Sequence, residues 1–264
     1  MSKGWSENFT YSFYEQILDL LKDDYEFRLF REVPEFIHSD RKSNVALLRH
    51  DIDLDLRKAV DIARVESNLG IKSTYMVMTS CPFYSVTDIE SQSFLNEIAG
   101  MGHEIALHFD IVNDQQSLPS ISDERFFTNL NSSVLKLGRA ASAKVDSVSF
   151  HRPVPELING QLMLDGLVNA YAKELMGAYL SDSRGNWREG NPLSVLAKRP
   201  AKLLQLLTHP FWWNEQHVSA ADCLEQFFVA RTKNHSDEFA DEFDEALSNH
   251  LTIRRTGQLE NTGS

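Results

Sequence analysis

The sequence predicts an α/β fold in which strand-then-helix units feed a parallel sheet, either open or closed into a barrel. Three observations predict it. Short apolar runs alternate with amphipathic stretches along most of the chain. The strand runs end in residues able to titrate or bind a metal: Arg49-His50-Asp51-Ile52-Asp53, His108-Phe109-Asp110, His151-Arg152-Pro153, Asp182-Ser183-Arg184 and Thr208-His209-Pro210. The chain has 264 residues, 42% hydrophobic and 24% charged, enough for one large domain or two small ones. In a parallel barrel the chemistry sits at the carboxyl ends of the strands, so this gathering of polar residues marks a candidate active site.

Each element follows from local pattern. Trp5, Phe9, Phe13, Ile17, Leu20 and Leu21 suggest an amphipathic helix within an N-terminal extension, residues 1–40, packing on the barrel. Residues 45–48 are an apolar strand run. Over 56–69, Leu56, Val60, Ala63 and Ser67 fall at helical spacing, with Asp55 placed to cap and Gly70 at the C-terminal stop. Residues 73–78 read as a strand, 93–101 as a short helix ending at Gly102, and 104–109 as another strand. The stripe Phe126, Phe127, Leu130, Val134 and Leu137 makes 123–137 a helix behind a possible cap at Ser122. Residues 145–150 read as a strand, 161–173 as a helix, and 177–180 and 202–207 as strands. Helices at 218–233 and 237–251 follow. A single barrel domain is therefore expected over 1–254, with a flexible polar tail at 255–264.

Charge and cysteine usage exclude some functions. Lys and Arg total 26 against 38 Asp and Glu, a formal charge of −12. Such a surface repels phosphate backbones, and the densest basic spots, Lys198-Arg199 and Arg254-Arg255, are only pairs, so nucleic acid is not an expected partner. Cys81 and Cys223 cannot build a disulfide framework or a four-thiolate zinc site; they read as two unpaired thiols in a reducing compartment. Residues 1–10 lack the pattern of a signal peptide, and no run approaches the ~20 apolar residues of a membrane span. The expectation is a soluble, cytoplasmic protein.

Asp51 and Asp53 share a strand face, because residues i and i+2 do. Two close carboxylates repel unless a cation sits between them or one is protonated. A divalent metal on one, with the other left as a base, resolves the conflict. His108 ends an apolar strand, where a neutral imidazole can bind zinc. His103, after Gly102, reads as a structural turn residue. His209, beside Trp212 and Trp213, suits a general acid; the tryptophans are either core or flat platforms for a sugar. Arg152, held extended by Pro153, needs a carboxylate partner, and Asp51 is a suitable one. His151 and Arg152 would point oppositely in a regular strand.

His50-Asp51-Ile52-Asp53, Gly102-His103-Glu104-Ile105-Ala106-Leu107-His108, Phe150-His151-Arg152-Pro153 and Leu207-Thr208-His209-Pro210 resemble, in order and spacing, the motifs of the polysaccharide deacetylase family (NodB homology, carbohydrate esterase 4). The resemblance spans residues 45–213 and is nearest to a subgroup found with surface-polysaccharide biosynthesis. It implies a distorted (β/α) barrel of the NodB-homology type and a metal-dependent hydrolase, with Zn²⁺ the expected metal, acting on an N-acetylated sugar or sugar-linked precursor. It further implies Asp51 as catalytic base, Asp53 and His108 as metal ligands, Arg152 as the arginine that steadies the base and His209 as catalytic acid. Asp182 and Trp187 fall where the family has an aspartate and a tryptophan, and join Trp212 and Trp213 as candidate substrate-binding residues. The family's second metal histidine belongs at position 112, which is valine here. His151 or Asp110 would then supply the third ligand, His151 being preferred. Two other readings stay open: hydrolysis of a different C–N bond, as in ureides or imides, and a catalytically inactive binding protein of the same fold.

Overall fold

The path of the chain is governed by one nine-stranded sheet, seen in a computed structural model that describes residues 4–40, 43–111, 124–198 and 201–232. Two compact units divide the chain, residues 1–219 and 220–264. The first holds the whole sheet. Of the second, the described residues form a helix over 220–232. The division falls inside the span that the sequence assigns to a single barrel domain. The expected helix at 237–251, the tail, the cap at Ser122 and the valine at position 112 lie outside the described residues. No helix among the described residues is long and apolar enough to cross a membrane.

The strands are β1 (Tyr25–Arg28), β2 (Asn44–Ile52), β3 (Thr74–Val77), β4 (Glu104–Asp110), β5 (Ser147–His151), β6 (Met163–Leu164), β7 (Leu167–Asn169), β8 (Tyr179–Ser181) and β9 (Leu203–Thr208). The helices are α1 (Tyr11–Lys22), α2 (Val33–Phe36), α3 (Leu56–Asn68), α4 (Ile89–Gly100), α5 (Glu124–Ala141) and α6 (Pro192–Leu196). Strand order is β6-β7-β5-β4-β3-β2-β9-β8, with β1 paired to the start of β2. All pairs are parallel except β6 with β7. Between β7 and β8 the described residues form no ladder. Yet the Gln205 side chain on β9 donates to the carbonyls of Ala170, 2.9 Å, and Leu175, 3.2 Å, just past β7. A strongly curled sheet brings those flanks together, and the result is the expected distorted (β/α) barrel, a half-barrel spanned by the Gln205 side chain.

Parity along the strands separates floor from mouth. Val45, Leu47, Met76 and Ala106 point inward and pack with Phe30, Val33 and Phe36, which plug the amino-terminal end. Burying each of the larger of these side chains contributes about 1.5–3 kcal/mol, more than an exposed ion pair such as Arg57–Glu90 at about 0–1 kcal/mol, so apolar burial holds the floor. Farther along the same faces come Arg49, Asp51, His108 and Ser149. The outward residues meet helices, as where Phe109 and Phe150 lie 5.7 Å and 6.5 Å from Phe126 of α5.

The helices predicted at 56–69, 93–101, 123–137 and 218–233 are observed with shifted ends among the described residues. Asp55 caps α3 by accepting from the Arg57 N–H, and Gly70 stops it at φ +70°, a conformation that favours glycine. α4 begins before the expected residue 93, and α1 buries Phe13, Ile17 and Leu21 of the N-terminal stripe. One expectation is corrected. Residues 161–173 are not a helix but contain the β6–β7 hairpin, whose two-residue turn, Asp165-Gly166, has φ of +48° and +83°. An Asp-Gly pair favours that turn, and it overrides the helical spacing of the flanking apolar residues.

Behind β2, on the outer face, Glu66 of α3 forms a buried hub. Its carboxylate accepts from Tyr14 (2.6 Å), Tyr75 (2.7 Å) and Ser73, and His50 Nε2 lies 2.8 Å away. His50 Nδ1 in turn meets Thr208 Oγ1 at 2.6 Å. His103 takes the structural place expected of it: its Nδ1 accepts from the Ser73 N–H and its Nε2 faces the Ala63 carbonyl. Burial pushes the Glu66 carboxyl up, but His50, His103 and the Ser73 hydrogen bond more than offset this and bring it to about 2, from 4.5. A depressed carboxyl stabilises the fold above its unfolded pKa and ceases to do so as pH falls through its folded one. Urea unfolding measured between pH 5 and pH 2 should therefore show stability falling across that window, with a shallower fall in Glu66→Gln.

Candidate active site

The mouth of the barrel is built from the ends of β2, β4, β5 and β9. Arg49 and Asp51 lie on one face of β2, and Asp53 follows in the loop after it. The phenol of Tyr84 donates to the Ile52 carbonyl at 2.7 Å and accepts from the Met78 N–H at 3.0 Å, tying the end of β2 to the end of β3. His108 and Ser149 are lateral partners across β4 and β5, as are Asp110 and His151 one step nearer the mouth.

Three side chains converge. Asp53 Oδ1 lies 3.2 Å from His108 Nε2 and 3.3 Å from His151 Nδ1. Ligand atoms of all three fall within 4.8 Å of one another. Neither contact has hydrogen-bond geometry, so Asp53 Oδ1 is buried without a hydrogen-bond partner. Such an atom is costly unless something else satisfies it, and two imidazole nitrogens facing one orphaned carboxylate oxygen suit a divalent cation. His108 Nδ1 is held by Ser149 Oγ at 2.7 Å, the outer hydrogen bond that orients a ligating histidine. The described residues thus contain a possible Asp–His–His metal site.

Asp51 stands beside this cluster, its Oδ2 3.7 Å from His108 Nε2. Its partner is Arg49, fully buried, whose Nε and Nη2 donate to Oδ1 and Oδ2 at 2.8 and 2.7 Å. Arg49 also donates to Gln205 and to Tyr171, over whose ring its guanidinium stacks at 4.5 Å. Burial pushes the Asp51 carboxyl up, and the bidentate guanidinium more than offsets it, leaving the group below its ordinary range.

His209 follows β9. Its Nε2 is 3.9 Å from Asp53 Oδ2, and its Nδ1 is 2.7 Å from Asp182 Oδ1. Asp182 also accepts from the His209 backbone N–H and from the Trp213 indole at 2.9 Å. The ring is thereby held with Nδ1 turned to Asp182 and Nε2 turned toward the cluster. Burial lowers the affinity of His209 for its proton, but Asp182, with Asp53 and Asp51, raises the pKa to about 9.

Asp51, Asp53, His108, His151 and His209 are therefore brought together, and other expected positions are corrected. Arg152 does not meet Asp51. Its φ is +55°, and its Nη2 donates to Asp110 Oδ2 at 2.8 Å, while Arg49 takes both oxygens of Asp51. Asp182 is fully buried behind His209. Trp187 and Trp213 are fully buried with Phe9, their rings 6.4 Å apart, and present no face to a substrate. Trp212 is nearly buried and packs on Phe211. Ser149 and Gln205 were missed by sequence reasoning, and Arg49, named in its strand-end run, was given no role there. The signal for Arg49 was its i−2 spacing from Asp51, since 49 and 51 share a strand face.

No family model and no curated protein matches the chain. Among solved structures, it is similar to the Streptococcus pyogenes deacetylase PplD in complex with acetate, at 15% identity over 53% of this chain and 61% of that one, TM-score 0.40. It is similar to a pseudoenzyme of the CE4 family from Bacillus anthracis, at 11% identity over 73% and 62% of the two chains, TM-score 0.42. A family 4 carbohydrate esterase from Bacillus anthracis is 14% identical over 89% of this chain and 94% of that one, TM-score 0.35. The chain spans less than two thirds of the first two proteins.

Proposed function

We propose that this chain is a metal-dependent hydrolase that removes an N-acetyl group from a sugar or a sugar-containing precursor. The observation that carries the reading is the orphaned Asp53 Oδ1 facing His108 and His151, with Asp51 and His209 each within 4 Å of that cluster. Asp53, His108 and His151 would hold one divalent cation, Zn²⁺ by the nitrogen-rich donor set. The cation would supply Lewis-acid polarisation of the amide carbonyl and of the attacking water.

The protein's own groups supply the proton transfers. Arg49 keeps Asp51 ionised and aimed, so Asp51 accepts a proton from the attacking water. Asp182 fixes the His209 ring with Nε2 toward the cluster, from which that nitrogen protonates the departing amine. The products are acetate and a free amino sugar. A role in surface-polysaccharide biosynthesis and a cytoplasmic setting belong to the same proposal and rest on the sequence resemblance.

Acetate release tests the reading. Zinc-loaded full-length chain, offered a panel of N-acetylated sugars, is expected to release acetate and to stop when a chelator is added. No acetate from any sugar, with turnover of a ureide or cyclic imide, would replace this reading with the other C–N hydrolase. No turnover of any amide would leave a binding protein.

A further inference from the structure

We propose that Arg152 selects a substrate carrying an anionic group, a carboxylate or a phosphate, beside its acetamide. The inference rests on the deacetylase reading for the acetamide and on independent geometry for the anion.

Arg49 already pairs with both oxygens of Asp51. Arg152 stands elsewhere, on Asp110. Neighbouring residues on a regular strand face opposite ways, yet His151 reaches Asp53 while Arg152 reaches Asp110 on the inner face of β4. The left-handed φ of +55° at Arg152 is what breaks the alternation. Positive φ is uncommon for a long side chain, and such backbone outliers cluster at functional positions.

Asp110 is buried and lies two residues past His108 on the same face of β4, a rise of about 7 Å toward the mouth. Asp110 is also the lateral partner of His151, so Arg152 stands at the rim of the Asp53–His108–His151 cluster, beside its His151 corner. Its side chain remains 56% exposed, and Asp110 engages a single nitrogen of it. A guanidinium has five donors in a planar fork, so an edge remains for a carboxylate or phosphate, the groups that fork matches. The buried carboxylate anchors the cation, and solvent exposure keeps their mutual attraction weak enough to share. On a chain of net charge −12, a cation at this point favours a small anionic sugar over a long polyanion, which would meet repulsion over the rest of the surface.

The test compares an N-acetylhexosamine with its uronate and its phosphate, using zinc-loaded full-length wild type, Arg152→Gln and Arg152→Lys. In wild type, kcat/KM for a charged sugar should exceed that for the uncharged one by about tenfold, the scale of one charge-assisted contact. Arg152→Gln should remove that ratio, mainly through KM, and Arg152→Lys should restore part of it with a point charge. Preference for uronate or for phosphate identifies the anion, and either supports the proposal. An unchanged ratio in Arg152→Gln overturns it. Calorimetric binding of the same sugars separates this inference from the reading beneath it. Charge-selective binding that Arg152→Gln abolishes sustains the anion site even if no acetate is released. Equal binding of charged and uncharged sugars by wild type overturns it whatever the turnover.

Discussion

Asp51→Asn should lower turnover by about 10³-fold or more while the chain keeps its metal. Asparagine preserves the shape of the side chain but cannot accept a proton from water, and loss of a general base removes typically 10²–10⁴ in rate. Asp51 touches the cluster only at 3.7 Å and spends both oxygens on Arg49, so its removal takes no donor from Asp53, His108 or His151. The substitution has a stability cost as well, because it leaves the buried Arg49 without its anion. Breaking such a pair is worth about 3–5 kcal/mol, so the variant is to be assayed below its own unfolding transition. Zinc retained with activity lost separates base from ligand. Zinc lost together with activity would make Asp51 a ligand and reverse the roles of the two aspartates.

His151→Ala should weaken zinc binding by more than about 100-fold, since outer-shell losses alone reach 10- to 100-fold in other metal sites. Activity should then return in part when zinc is raised. The partner experiment is Asp110→Asn. Asp110 and His151 are lateral neighbours, but His151 Nδ1 faces Asp53 Oδ1, whereas Asp110 holds Arg152. Asp110→Asn should therefore leave zinc affinity within a fewfold of wild type, and a large loss there would move the third ligand to Asp110.

Much of this arrangement was legible because strand parity is a strict rule. Two-residue spacing sufficed to put Asp51 on the face of β2 that looks toward Asp53, and the apolar runs before His108, His151 and His209 placed all three at one end of the sheet. Cross-strand register is not written in any one run. The pairing of His108 with Ser149 depends on how β4 and β5 align, and the meeting of Gln205 with Ala170 depends on how far the sheet curls. Arg152 was misplaced because a single left-handed residue reverses the side on which a side chain emerges, and nothing in His151-Arg152-Pro153 requires it. Trp187 and Trp213 were misplaced for a different reason. An aromatic beside a catalytic motif serves a substrate or a core equally well, and only the packing of Phe9 from the N-terminal segment decides between them. The hub at Glu66 joins α1, α3, β2, β3 and β9 through residues far apart in the chain, so no local pattern could announce it.

A zinc titration of the purified full-length chain, followed by X-ray absorption of the bound metal, probes the heart of the account. The expected result is one equivalent of zinc in a shell containing two imidazole nitrogens and a carboxylate oxygen. A chain that takes up no zinc, or whose zinc shows fewer than two imidazoles, would contradict it.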